Sequence, residues 1–130
     1  KLAFMAANSG VGAITRVSSG QWRSLPGSWE MAQTVVKEVL AVAEGHRVEM
    51  PKDAFTSAVS RLKGSPQNGT SSMQRDLMDG RPSELGVQNG GVVRLGIEVG
   101  VPTPMNSFIY NSLLPQEMRA RGEFSDFEDK

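Results

Sequence analysis

Two serines near the middle of the chain have a spacing that leaves one hydroxyl free for chemistry. Ser71 precedes Gln74 by three residues, as in a capping box. In this motif the serine hydroxyl accepts a hydrogen bond from a backbone amide of the first turn, and the glutamine side chain accepts one from the backbone amide of the serine. With Ser71 occupied in this way, Ser72 stands in the first turn beside unpaired amides, a place where a carboxylate is favoured. The pattern predicts a helix start at Ser71 and an anion-binding role for Ser72.

A serine and an acid follow farther along. Ser83 is a good N-cap residue, and Glu84 would then lie in the first turn of a helix, where the macrodipole stabilises its carboxylate. We expect this helix to run from Glu84 to Gly100. Capping serines and first-turn glutamates are also ordinary structural devices, so the local pattern alone favours a structural role over a functional one.

Three short motifs carry a family resemblance: TSSMQRD at residues 70–76, GRPSE at 80–84 and QNG at 88–90. Together they resemble the substrate side of the ketopantoate reductases, which use NADPH to reduce a 2-keto acid on the way to pantothenate. The resemblance implies that residues 1–122 are the all-α C-terminal domain of a two-domain cytoplasmic enzyme. It also implies that a nucleotide-binding Rossmann domain precedes this chain, which alone should reduce nothing.

The resemblance assigns a role to three residues. Lys1 aligns with the general acid, and an ammonium can stabilise a developing alkoxide and then deliver a proton. Ser72 would bind the substrate's carboxylate or hydroxyl, and Glu84 would contact the cofactor ribose. The implied partners are a 2-keto acid and the protein's own N-terminal nucleotide-binding domain, and a homodimer is compatible with the family.

The chain departs from the family at the substrate. Members commonly have asparagines four and eight residues after the lysine, where this chain has Met5 and Ser9. Ser9 and Asn8 are the polar candidates for substrate contact, although Asn8 lies about 100° around a helix from Ser9. Methionine offers a flexible apolar wall instead of an amide. We therefore expect a less hydroxylated 2-keto acid to be preferred.

Helical periodicity dominates the elements that must position these residues. Residues 1–16 are apolar and small, which predicts a buried helix whose glycines allow close contacts. Gly10-Val11-Gly12 could also belong to a dinucleotide-binding loop, but no second β-branched run and no acidic residue follow at the required distance. Residues 17–23 read as a short polar connection.

Prolines mark the later helix starts. Pro26 opens a long core-facing helix that ends at Gly45, and Pro51 precedes a shorter one. Thr103 should cap the last helix, which Pro115 should bend or split. These signals predict a bundle of about six helices.

Composition bounds the remaining possibilities. A length of 130 residues fits one domain, and fourteen acidic against fourteen basic residues give no sign of a nucleic-acid or membrane partner. The chain has no cysteine, and its single histidine, His46, has no second nitrogen or sulfur ligand nearby, so no metal site is expected. The charged residues 123–130 should be disordered.

Two alternatives stay open. The chain could be a helical association module without catalytic function, or part of a related 2-hydroxyacid or imine reductase that shares the scaffold.

Overall fold

Seven α-helices and no strand make up residues 1–124, the part of the chain that this computed structural model describes. The helices are α1 (Leu2–Thr15), α2 (Ser19–Arg23), α3 (Pro26–Gly45), α4 (Ala54–Lys63), α5 (Ser72–Met78), α6 (Asn89–Val99) and α7 (Pro104–Ala120). The prediction of an all-α bundle is confirmed. Most of the tail for which we expected disorder, residues 125–130, lies outside the described residues.

Helix α1 runs through the centre of the bundle and packs against α2, α3, α4, α5 and α7. Small side chains make this possible, because they let neighbouring helices approach closely. At Gly10 an added Cβ would lie 2.9 Å from the side-chain amide of Asn89, and at Gly12 it would collide with the amide oxygen of Gln74. The expectation of a buried helix with close glycine contacts is confirmed.

The prediction that residues 17–23 form only a polar connection is wrong, because Ser19–Arg23 form helix α2. Ser18 and Gln21 have the same spacing as Ser71 and Gln74, and the Ser18 amide donates to Gln21 Oε1 at 3.1 Å. Trp22 on this helix is almost completely buried and stacks on Trp29, with 6.5 Å between the ring centroids. A capping signal and a tryptophan anchor therefore form a helix where polar composition indicated a loop.

The N-terminus of α7 is capped by a carboxylate from another helix. Glu38 on α3 is buried and accepts hydrogen bonds from the amides of Met105 at 2.8 Å and Asn106 at 2.9 Å. Thr103, the expected cap, makes no side-chain cap bond, and its hydroxyl lies 3.3 Å from that of Ser107. A carboxylate is favoured at this end of a helix and takes the place of the local cap.

A chain of buried amides extends from this cap to α1. Asn106 donates its side-chain amide to Glu38 at 2.7 Å and accepts from Asn89 Nδ2 at 3.0 Å. Asn89 Nδ2 also donates to the Ala6 carbonyl at 3.3 Å. Because Ala6 lies in α1, these bonds link α3, α7 and α6 to the central helix.

Helix α7 continues through Pro115 to Ala120, so of the expected bend or split the proline does not cause a split. The proline removes one backbone donor from the helix. Leu113 before it and Glu117 after it are both buried. Packing and hydrogen bonding on either side of the proline offset the missing bond and keep one helix.

Candidate functional site

Lys1 stands at the N-terminal end of the central helix with its side chain exposed. It lines a cavity of about 530 Å³ whose other walls are mainly apolar residues of α1, α3 and α6. His46 lies at the same cavity, and its Nε2 is 2.9 Å from the Leu95 carbonyl and 3.7 Å from Glu98. Lys1 is thus a cation on the wall of a mainly apolar recess, and its exposed side chain is accessible to another molecule or domain.

The residues one and two turns after Lys1 differ in their access to solvent. Met5 and Asn8 are half-buried, whereas Ser9 is only 5 % exposed. Asn8 accepts a hydrogen bond from the Ser19 hydroxyl at 3.3 Å. Met5 and Asn8 therefore reach the surface of α1, and Ser9 lies on its buried side.

The two serines at the start of α5 differ in role: the hydroxyl of one caps the helix, and the hydroxyl of the other has no partner within residues 1–124. Ser71 is the N-cap and accepts from the Gln74 amide at 3.0 Å, as its spacing predicts. Gln74 does not reach back to the cap, since its buried side chain donates to the Val17 carbonyl at 2.9 Å. Ser72, the next residue, is exposed. Half of the expected capping box is present, and it leaves the Ser72 hydroxyl available.

Helix α2 ties the loop before Ser72 to α1. The amides of Ser19 and Gly20 donate to the carbonyls of Gly69 at 2.9 Å and Gln67 at 2.8 Å. The Ser19 hydroxyl lies within reach of both Asn8 Oδ1 and the Gly69 carbonyl, at 3.3 Å and 3.2 Å. The structure thus brings Asn8 close to the loop that leads into α5.

Glu84 lies in a turn rather than in the first turn of a helix. Helix α6 begins at Asn89, and the Glu84 carbonyl accepts from the amides of Val87 and Gln88. Ser83 Oγ accepts from the Leu85 amide at 3.1 Å and donates to Glu117 at 2.6 Å, so it closes this turn and does not cap α6. The expectation of a helix from Glu84 is therefore wrong, because the helix begins only at Asn89.

Glu117 is a buried carboxylate with an unusually complete set of partners. The Ser83 amide approaches it to 3.0 Å and Arg121 Nε to 2.6 Å, in addition to the Ser83 hydroxyl. Burial alone would raise the pKa of Glu117, but these donors and the Arg121 charge outweigh it and hold the pKa below its ordinary value. The group is therefore ionised at neutral pH.

Lys1, Ser72 and Glu84 share one property: each side chain is exposed, while hydrogen bonds hold the backbone at or beside it, for Lys1 the bond from the Met5 amide to its carbonyl at 3.0 Å. Among residues 1–124 none of the three is hydrogen-bonded to another, and their side chains are open to an added partner. Local sequence patterns missed the buried polar groups that hold these positions. The one available signal for Glu38 was its position among the apolar residues that α3 turns to the core, and nothing local links Glu117 to Ser83.

No helix within the described residues is both long and apolar enough to cross a membrane.

Comparison with known proteins gives a consistent match over nearly the whole chain. Residues 1–117 match a family model described as the ketopantoate reductase PanE/ApbA C terminal. A 2-dehydropantoate 2-reductase from Pyrobaculum aerophilum is 32 % identical over 117 residues, which cover 90 % of this chain and 42 % of that protein. The chain therefore spans less than half the length of this relative.

Known structures show the same fold. A PanE/ApbA family ketopantoate reductase from Ralstonia eutropha JMP134 is 29 % identical, with a TM-score of 0.82 over 93 % of this chain and 40 % of that one. A D-mandelate dehydrogenase in complex with NADH is 22 % identical, with a TM-score of 0.81 over 92 % of this chain and 41 % of that one. The second likeness concerns the fold alone.

Proposed function

We propose, from the premise that this chain belongs to the ketopantoate reductase family and matches its C-terminal domain, that it forms the substrate side of an NADPH-dependent 2-keto acid reductase. The observation that carries the proposal is the exposure of Lys1, Ser72 and Glu84 on anchored backbone. A cleft shared with a second domain requires side chains whose backbone is fixed and whose functional group is exposed to the ligand. We also place the protein in the cytoplasm.

The proposed chemistry divides between this chain and a nucleotide-binding domain. NADPH, when bound, supplies a hydride to the carbonyl carbon. Lys1 stabilises the charge that develops on the carbonyl oxygen and protonates it to give the 2-hydroxy acid. Ser72 donates a hydrogen bond to the substrate carboxylate or hydroxyl.

Glu84 suits the cofactor role proposed for it. An ionised carboxylate only accepts hydrogen bonds, and the ribose hydroxyls are donors. Its exposed side chain has no ion pair within residues 1–124 and is free to accept from a ribose. This contact would hold the cofactor from the far wall of the cleft.

The isolated chain is expected to have no reductase activity. It contributes one wall of a cleft, and residues 1–124 contain no phosphate-binding loop of the Rossmann type. We expect a purified fragment of residues 1–130 to leave NADPH unoxidised in the presence of ketopantoate. Turnover by the fragment above the rate without protein would contradict the proposed division between two domains.

The preferred substrate is expected to have fewer hydroxyl groups than ketopantoate. Met5 reaches the surface of α1 where the family commonly has an amide, and Ser9 is buried. A pocket built to bond a hydroxyl can favour it strongly, whereas an apolar wall cannot. We expect kcat/KM of the full-length enzyme for the deoxy analogue of ketopantoate to equal or exceed that for ketopantoate. A preference for ketopantoate of about a hundredfold would contradict this expectation.

The second candidate function is that of a related 2-hydroxyacid dehydrogenase, which the fold shared with the D-mandelate enzyme favours. A non-catalytic association module is the third. The sequence encoded upstream separates the classes: a strand followed by Gly-x-Gly-x-x-Gly within about 150–200 residues of Lys1, the size of one domain, supports a reductase. An unrelated upstream sequence favours the association module.

A further inference from the structure

The buried carboxylate of Glu117 on α7 and the partly exposed Arg121 that follows this helix hold the residue that precedes Glu84. Ser83 is 6 % exposed and donates both its amide and its hydroxyl to the Glu117 carboxylate, at 3.0 Å and 2.6 Å. Arg121 donates to the same carboxylate at 2.6 Å and to the Ser83 carbonyl at 2.9 Å. Every polar group of Ser83 is thus bonded within this cluster.

The residue on the other side of Glu84 is fixed as well. The Leu85 amide donates to the Ser83 hydroxyl at 3.1 Å, and the Leu85 side chain is completely buried. Between these two anchors the Glu84 carbonyl accepts from the Val87 and Gln88 amides, while its side chain is exposed. The backbone of Glu84 is therefore constrained from both sides, and its carboxylate retains only side-chain rotation.

We propose that Glu117 and Arg121 are positioning residues for Glu84, and through it for the ribose of the nicotinamide cofactor. This inference rests on the proposed function, which assigns the ribose contact to Glu84. Packing alone does not require the arrangement, because burying the Glu117 carboxylate costs free energy that an apolar side chain at the same place would not. Two donors from Ser83 and one from Arg121 instead fix the orientation of the turn, as a precise contact to a ligand requires.

A double-mutant cycle in the full-length enzyme separates positioning from a general structural effect. The variants are Glu84→Gln, Glu117→Gln and the two combined, and Glu123→Gln is the control, because Glu123 is an exposed acid that lines a surface recess together with Ser83 and Glu117. NADPH affinity is measured by fluorescence titration without substrate, and kcat at saturating NADPH. Thermal melting confirms that each variant is folded.

We expect Glu117→Gln to weaken NADPH binding about five- to tenfold, with kcat at saturating NADPH changed by less than about twofold. In the Glu84→Gln background the same substitution should have no further effect, because the positioned group is already gone. Glu123→Gln should bind NADPH as the wild type does. If Glu117→Gln fails to fold, Ser83→Ala replaces it in the cycle, since it removes one bond to the carboxylate and should weaken binding by about two- to threefold.

The outcomes distinguish the inference from its premise. If Glu84→Gln weakens NADPH binding and Glu117→Gln does not, or if their effects multiply in the double variant, the positioning role is wrong and the proposed function stands. If Glu84→Gln leaves NADPH affinity unchanged, the ribose contact is wrong and the positioning role is overturned with it.

Discussion

Replacing Lys1 by alanine in the full-length enzyme is expected to lower kcat by about 10²–10⁴-fold and to leave NADPH affinity unchanged. The ammonium acts on the oxygen that becomes charged during hydride transfer. Loss of the ammonium therefore raises the activation free energy of this step and leaves the free energy of cofactor binding unchanged. Because Lys1 is exposed, no core packing is lost with it. Steady-state kinetics with saturating NADPH and keto acid, together with a fluorescence titration of NADPH, give both quantities.

The control for this experiment is Lys52→Ala, which removes an exposed lysine outside the described helices. It should change neither kcat nor NADPH affinity. A kcat of Lys1→Ala within about threefold of the wild type would exclude Lys1 as the proton donor, since general acid catalysis is typically worth at least a hundredfold.

The second large effect is expected on stability, from the carboxylate that caps α7. Glu38→Ala removes the acceptor of the Met105 and Asn106 amides and of the Asn106 side chain. Buried donors left without a partner each cost about 1–3 kcal/mol, and loss of an N-cap costs about 1 kcal/mol. These costs are not additive and the Met105 amide is only partly buried, so we expect the free energy of unfolding to fall by about 2–4 kcal/mol, measured by urea denaturation of the full-length protein.

Glu30→Ala is the matched control, because it removes an exposed glutamate from the same helix. It should change the unfolding free energy by less than about 0.5 kcal/mol. Equal urea midpoints for Glu38→Ala and the wild type would show that water replaces the carboxylate at no cost and that the cap is not needed.

Elements whose signals are local could be predicted from the sequence. Helices α1 and α3 follow from small or periodic apolar residues, and the bond between the Ser71 hydroxyl and the Gln74 amide follows from their spacing. The sequence does not predict helix α2, although Ser18 and Gln21 repeat that spacing. Most residues of α2 are polar, and only Trp22 packs deeply into the core, so the segment has no helical pattern of apolar residues.

Elements that depend on distant partners could not be predicted in this way. Ser83 resembles a helix cap, but its amide and hydroxyl donate to Glu117, thirty-four residues later, and α6 begins only at Asn89. Thr103 resembles a cap, but Glu38 on α3 supplies the acceptor. In both cases the partner is a buried carboxylate from a distant part of the chain, which makes charge-assisted hydrogen bonds.

In the candidate site, too, residues with a local sequence signal could be predicted, and contacts between distant segments could not. The TSSMQRD motif and Lys1 were found by resemblance, and the structure adds that Lys1, Ser72 and Glu84 are exposed on anchored backbone. Residue pattern alone could not show the anchors, because the contacts of Ser19 with Gly69 and of Ser83 with Glu117 join separate segments. The roles of the three side chains in catalysis stay predictions.

The measurement that tests the central claim most directly is the oxidation of NADPH by the full-length protein with 2-keto acids as substrates. The assay includes ketopantoate, its deoxy analogue and a sample without keto acid, and the product is identified as the 2-hydroxy acid by mass spectrometry. We predict keto-acid-dependent oxidation with one hydroxy acid formed for each NADPH consumed. A folded protein that binds NADPH and reduces none of these acids would contradict the assignment of this chain to the substrate side of a 2-keto acid reductase.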